Sequence, residues 1–325
     1  MIGQLYRLGL WLIAPITIAA AFLHVGLGLV YATLLFPWIR RSWRDAAVMV
    51  WSRLLLLIIG VRLESRGEPP AVLPSAASSH WLGEHEGASP APSFPSSGLF
   101  RPKAGKGAGG EGAPPPGSLL LINHTSWLDV FAIAAVVPAR FVSKAEIGRW
   151  PVVGWLAIVV GTLFVERGRR HAVMRTNRAV AERLRSGQLI GVFPEGTTTD
   201  GSRLLPFHAN LVQPAIDLGV PVRPVGVRFT QRGEFSRAAM FVGEMNLMQS
   251  LWRVVTAPQL AVELVWLPPL DPLPASRHLA ARAARAAIAQ ALNVPLQEHE
   301  RSAGEVSPAA ATSDTEPGPR SAPAG

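Results

Sequence analysis

From Leu8 to Ile39 the chain carries no Asp, Glu, Lys or Arg, and Leu, Ile, Ala and Val dominate the run. A helix of this length exceeds the roughly 30 Å hydrocarbon core of a bilayer. It is also far longer than the roughly 7 to 15 apolar residues at the centre of a cleaved signal peptide, so the segment is expected to remain with the chain. Pro15, Gly26 and Gly28 interrupt the run, leaving two membrane-embedded forms open for residues 1–41, a bent helix or a re-entrant hairpin. Arg40, Arg41, Arg44 and Arg53 follow the run, whereas Arg7 alone precedes it. The positive-inside rule then predicts a cell-membrane protein with its bulk on the cytoplasmic side.

Composition agrees with contact with lipid: 49% of residues are hydrophobic and only 16% charged. A net charge of +9 favours an anionic partner, such as membrane phospholipids, an acidic carrier protein or nucleic acid. The basic residues do not form a stretch interleaved with aromatics, which argues against nucleic acid and leaves a basic, membrane-tethered binding protein as the remote alternative to an enzyme. The absence of cysteine excludes disulfides, thiolate zinc sites and a Cys nucleophile. The eight histidines are scattered rather than grouped at ligand spacing, so no metal is expected.

Residues 42–62 mix Arg44, Asp45 and Arg53 with Trp43, Val50, Trp51 and the Leu54 to Ile59 run. This predicts a helix, with 42–66 either lying in the membrane interface or packing on the following domain. From 67 to 117 the composition turns to Pro, Gly, Ser and Ala, including Ala113-Pro-Pro-Pro-Gly117, and predicts a disordered insertion. Residues 298–325 read as a loose tail. Between them, over 118–297, short β-branched apolar runs alternate with helical patterns, predicting an α/β domain with a mixed sheet flanked by helices. The expected strands are Leu119–Ile122, Arg140–Ser143, Leu163–Val165, Leu189–Phe193, Val222–Arg228 and Ala261–Leu267. The expected helices are Trp127–Val137, Val153–Val160, Arg170–Ser186, Ala209–Leu218 and Arg277–Leu292.

Chemistry concentrates first in Asn123-His124-Thr125-Ser126-Trp127-Leu128-Asp129, between a hydrophobic strand and an apolar helical pattern for which Thr125 or Ser126 is a natural N-cap. Five residues on a regular helix separate two side chains by about 140°, so His124 can meet Asp129 only from the loop. An Asp in the first turn then reaches back to the imidazole, fixes its tautomer and stabilises its protonated form, which makes His124 a general base. No protein nucleophile is evident beside it, so such a base needs a substrate hydroxyl. Eight His and six Asp in 325 residues give about 0.15 such pairs by chance, so the spacing alone does not separate a catalytic pair from a structural His beside a capping Asp.

Downstream stands Val192-Phe-Pro-Glu-Gly-Thr-Thr-Thr-Asp-Gly-Ser-Arg-Leu-Leu-Pro-Phe207, a strand ending in a Pro-Glu-Gly-Thr turn. Here the chain resembles the 1-acyl-sn-glycerol-3-phosphate acyltransferase (PlsC-type lysophospholipid acyltransferase) family. Asn123, His124 and Asp129 match its Asn-His-x4-Asp box, and Phe193 to Thr197 its Phe-Pro-Glu-Gly-Thr box. Gly161, Phe164 and Arg167 match Gly-x-x-Phe-x-x-Arg, while Val220, Pro221, Pro224 and Val225 match Val-Pro-x-x-Pro-Val. The resemblance covers about Ser118 to Phe229.

The resemblance implies a glycerolipid acyltransferase-like fold. It also implies acyl transfer from an acyl carrier protein or coenzyme A thioester to the free hydroxyl of lysophosphatidic acid, giving phosphatidic acid. Neither a covalent acyl-enzyme nor a further cofactor is implied. His124 would take the hydroxyl proton and Asp129 would orient it; Arg167, Glu195, Gly196 and Thr197 would bind substrate. Arg167 suits a phosphate or carboxylate. Glu195 would repel an anion, so it is expected to accept a hydrogen bond from a hydroxyl or backbone amide, or to hold Arg167. Gly196 would allow a close backbone approach or positive φ. Pro221 and Pro224 would shape an acyl-chain wall or a strand edge. The chain departs from the family where many members carry Arg-Ser after the Glu-Gly-Thr, and later Pro-Phe-Lys-Lys-Gly. It has Thr198-Thr199 and Pro206-Phe207-His208-Ala209-Asn210 instead. Two cations are thus missing, which raises a lyso-ornithine lipid or another lysolipid as the alternative acceptor, with Arg203 and Arg223 as candidate replacements for the lost charge.

Overall fold

The structure is a computed structural model that describes residues 2–70, 117–149, 154, 157, 161–165 and 170–297. Almost all of the expected insertion, the tail and Arg167 lie outside the described residues, as does most of the helix expected over Val153–Val160. The apolar run forms one helix, α1 (Ile2–Leu35), with Pro15 inside it rather than a hairpin. Its stretch Gly9–Leu35 is long and apolar enough to cross a membrane. Small residues, Ala14, Ala21 and Ala32, face the protein, whereas Trp11, Leu12, Ile16, Leu23, Leu27 and Leu34 are exposed. Helix α2 (Arg41–Ile58) packs one side on the domain. Leu55 and Leu56 are buried, while Trp43, Val50, Leu54 and Leu57 are exposed.

Residues 62–66, expected to end that helical segment, instead form strand β1 (Arg62–Arg66), paired in parallel with β8 (Leu260–Trp266). The other strands are β2 (Ser118–Ile122), β3 (Arg140–Lys144), β4 (Leu163–Val165), β5 (Leu189–Val192), β6 (Val222–Gln231) and β7 (Glu234–Phe235). Among the described residues they make one sheet of order β1-β8-β6-β2-β5-β3-β4, with β7 hairpinned onto β6. The sheet is mixed because β8 runs antiparallel to β6 while β2, β3, β4, β5 and β6 run parallel.

Both faces of the sheet are covered, as a largely parallel sheet requires. Leu120 and Ile122 point into a core shared with α1, α2, α3 (Leu128–Ala134) and α6 (Leu247–Val255). Leu119 and Leu121 point into a core shared with α4 (Arg170–Arg185), α5 (Gln213–Leu218) and α7 (Arg277–Leu292). Helix α5 is shorter than expected, because residues Asn210–Val212 form a 3-10 turn ahead of it. Helix α6 was not expected at all. Its start is a capping box in which Asn246 accepts the Gln249 amide and the Gln249 side chain accepts that of Asn246.

Candidate active site

Strands β2 and β5 are parallel neighbours, with Leu121 opposite Val192. His124 and Glu195 each lie three residues beyond that pair, so the register alone brings the two loops together. The His124 amide donates to Glu195 Oε1 at 2.7 Å. This is the carboxyl end of parallel strands, where open α/β sheets place their ligands.

His124 stands in the loop and Asp129 in the first turn of α3, as the spacing required. His124 Nδ1 meets Asp129 Oδ2 at 2.9 Å. That same oxygen accepts the amides of Thr125 at 2.7 Å and Ser126 at 2.9 Å, so the backbone as well as the ring holds this fully buried carboxylate. Helix α3 starts a residue later than a Thr125 or Ser126 cap would set: Trp127 occupies the N-cap without a side-chain bond, and the Ser126 hydroxyl accepts the Leu128 amide. With a carboxylate on Nδ1, the neutral ring keeps its proton there and presents Nε2 as a base. Nε2 has no hydrogen-bond partner among the described residues, and the side chain is about 20% exposed.

The backbone of His124 is held from both sides by the loop after β5. Glu195 takes its amide, and its carbonyl accepts the Thr199 amide at 2.9 Å and the Thr199 hydroxyl at 3.3 Å. Glu195 Oε2 also accepts the Leu205 amide at 3.0 Å. Burial pushes the Glu195 carboxyl up to about 7, against the pull of those two backbone N–H groups. Asn123 secures the preceding residue, donating to the Val227 carbonyl at 2.9 Å and accepting its amide at 2.7 Å. The imidazole stacks on Phe193 with centroids 4.0 Å apart, and Phe193 stacks in turn on Phe141. Gly191 makes room for Phe141, since a Cβ there would lie 2.9 Å from its ring.

His124 lines a cavity of about 1680 Å³ that runs between the domain and helices α1 and α2. Its walls are mostly apolar: Phe22, Val25, Leu27, Trp51, Phe131 and Phe141 are among them. The polar groups on its wall include Thr197, Thr198, His208 and Asn210, and Lys144 and Arg140 line it from β3. A hydroxyl beside Nε2 and a long hydrocarbon chain in the cavity would both be accommodated.

Of the expected substrate-binding residues, Gly196 and Thr197 line the cavity, with Gly196 at φ +72° in the turn. Glu195 accepts backbone amides, one of the roles expected of it. Two other expectations need correction. Arg223 donates to the carbonyls of Glu68 and Leu267 and does not line the cavity, nor does Arg203. Pro221 and Pro224 lie at the start of β6, off the cavity wall. The hydroxyls of Thr198 and Thr199 are committed to the carbonyls of Phe241 and His124. Neither Lys144, directly after an expected strand, nor the stack on Phe193, inside the Phe193 to Thr197 box, is marked by the sequence as part of the site.

A family model described as Acyltransferase matches residues 108–228. The lyso-ornithine lipid O-acyltransferase of Pseudomonas aeruginosa is 37% identical over 180 residues, which are 55% of this chain and 69% of the relative. The chain belongs to the acyltransferase family. The 1-acyl-sn-glycerol-3-phosphate acyltransferase of Neisseria gonorrhoeae is 41% identical to this acyltransferase over 150 residues, 46% of the chain and 59% of the relative. The crystal structure of the 1-acyl-sn-glycerophosphate acyltransferase of Thermotoga maritima matches the acyltransferase with a TM-score of 0.50 at 16% identity, over 89% of this chain and 94% of that one, and so shares its fold.

Proposed function

We propose that the protein is a membrane-bound lysolipid O-acyltransferase that moves a fatty acyl group from an acyl carrier protein or coenzyme A thioester onto lysophosphatidic acid. The observation that carries this reading is His124, paired with buried Asp129 at 2.9 Å and lining a large apolar cavity beneath α1. His124 Nε2 takes the proton of the acceptor hydroxyl, and the oxygen attacks the thioester carbonyl. The C–S bond then breaks and the proton passes to the departing thiolate, leaving the ester. Asp129 stabilises the imidazolium in between. Lys144 lines the cavity and supplies a cation for the acceptor phosphate, with Arg167 as a further candidate from sequence. The basic segment after α1 supports a catalytic domain on the cytoplasmic side of the cell membrane.

A second acceptor, lyso-ornithine lipid, is favoured by His208 and Asn210, polar groups that line the same cavity as His124. Purified enzyme offered both acceptors, with labelled acyl carrier protein and coenzyme A thioesters in turn, tests both readings. Faster transfer to lysophosphatidic acid is expected; preference for the lyso-ornithine lipid reverses the order, and no transfer to either overturns both.

A further inference from the structure

Arg285 lies within α7, on the face of the sheet opposite α1–α3. One of its terminal nitrogens, Nη2, donates to the carbonyls of Leu204 at 2.6 Å and Gln297 at 2.5 Å. The Leu204 carbonyl and the Leu205 amide belong to one peptide group. That amide is the donor to Glu195 Oε2, and Glu195 Oε1 holds the amide of His124. A single peptide plane therefore stands between a guanidinium and a carboxylate, aligned so that each hydrogen bond polarises the next.

The surroundings fit a device for holding a charge. Arg285 Nε is buried and has no hydrogen-bond partner among the described residues, so the guanidinium is desolvated beyond what its own bonds repay. Leu204 is tied to the end of the domain as well: its amide donates to Pro295 at 3.0 Å, and its carbonyl also accepts the Gln297 amide at 2.9 Å. The titratable and charged groups acting on Glu195 are His124 and Asp129 from the loop after β2 and from α3, and Arg285 from α7. If Glu195 were protonated, one of its two oxygens would become a hydroxyl, a weaker acceptor than a carboxylate oxygen, and the bond from either His124 or Leu205 would weaken.

We propose that Arg285 is a positioning residue of the acyl-transfer site, which keeps Glu195 ionised through the Leu204–Leu205 peptide and thereby holds the backbone of His124. This rests on the acyltransferase reading above. The test uses the full chain in detergent micelles, with R285M, R285Q and R285K, the last to restore the charge. In R285M and R285Q, kcat at pH 7 is expected to fall about 10-fold with little change in KM. The acid limb of the kcat profile should move to higher pH, because Glu195 then ionises later, and R285K should return it toward the wild-type position. In an E195Q background, R285M should cost little more. Hydrogen exchange at the amides of His124 and Leu205 follows the same chain without turnover, and R285M should accelerate it at both. An acid limb that stays in place, R285K no better than R285M, or equal losses in both backgrounds would overturn the proposal. A wild-type chain with no transfer activity would instead overturn the functional reading, and the exchange rates would still decide whether Arg285 holds His124.

Discussion

Asn123, Thr125, Ser126, Asp129 and Glu195 are polar and buried, whereas Trp11, Leu12, Ile16, Leu23, Leu27 and Leu34 are apolar and exposed. Each region inverts what a water-soluble surface and core would do, and each is stable for a different reason. Around His124 the buried polar groups find partners in one another and in the backbone, so their desolvation is offset bond by bond. Along α1, Trp11 meets Trp252 edge-on, but the described residues leave the large side chains mostly uncovered. The alanines are turned inward and the large side chains outward, and fully burying each large one is worth about 1.5–3 kcal/mol. A bilayer would supply that burial. The first region is specified by individual side chains, the second by composition over a long stretch, and single substitutions should act on them very differently.

The largest effect is expected where one atom does the work. His124→Ala removes the base and should lower kcat by about 10³-fold, leaving the protein folded and membrane-bound. Asp129→Asn should cost about 10²-fold or more, since an amide no longer fixes the tautomer that frees Nε2. It should also lower the melting temperature, because Oδ2 anchors two amides besides the ring. Activity assays and thermal unfolding in detergent micelles check both. Full transfer activity in His124→Ala would remove the assignment of the base.

Composition should tolerate more. Leu12 and Ile16 lie one turn apart on the exposed face of α1 and do not line the cavity. Both lie toward the N-terminal end of the Gly9–Leu35 stretch, so replacing them with Lys should cost less than the roughly 2.5–3.5 kcal/mol each that insertion scales assign at the centre of a spanning helix. Sedimentation should show the variant shifting out of the membrane fraction by about 10²-fold. The protein that remains soluble should retain transfer in micelles within about two-fold, since His124 and Asp129 are untouched. Loss of transfer with membrane binding intact would mean that this face of α1 serves the site and not the bilayer.

Which features were legible in the sequence follows the same division. The membrane segment showed in composition, and the His124–Asp129 geometry showed in a spacing that no single helix could satisfy. The meeting of His124 with Glu195 was hidden because it depends on β2 and β5 being neighbours in register, and strand order leaves no local trace. Strand β1 was hidden for a related reason: Arg62-Leu-Glu-Ser-Arg66 is mostly charged and exposed. It joins the sheet through backbone pairing with β8 and through the Arg66 to Glu263 ion pair, so no hydrophobic period marks it. Helix α6 did leave a signal, the Asn246 and Gln249 pair ahead of an apolar run, which is a capping box in spacing. Arg285 shares its helix with Arg277 and Arg282, and nothing in that pattern distinguishes the half-buried partner of Glu195's loop from a surface charge.

Glu195 offers a smaller effect that depends on pH. Its folded-state pKa is raised from 4.5 to about 7 by burial. The stability this contributes is fully present below about pH 4.5 and is lost as pH rises through about 7. The difference is worth roughly 3 kcal/mol between those limits. Unfolding of the wild type between pH 4.5 and 8 should show that slope, and Glu195→Gln should remove it. An unchanged slope in the variant would assign it to other groups.

The smallest effect separates the main chain from the side chain in the clamp on His124. Thr199 donates to the His124 carbonyl with its amide at 2.9 Å and, less closely, with its hydroxyl at 3.3 Å. Thr199→Val keeps the shape and the amide and removes the hydroxyl, together with its acceptance of the Gly201 amide at 3.3 Å. One long, partly exposed hydrogen bond of this kind contributes about 1 kcal/mol, so kcat should fall by no more than about five-fold with KM for the lysolipid unchanged. A rise in KM of about 10²-fold would place the hydroxyl against the acceptor head group instead. The buried polar region would then divide as α1 does, into a part that holds the protein together and a part that meets its lipid.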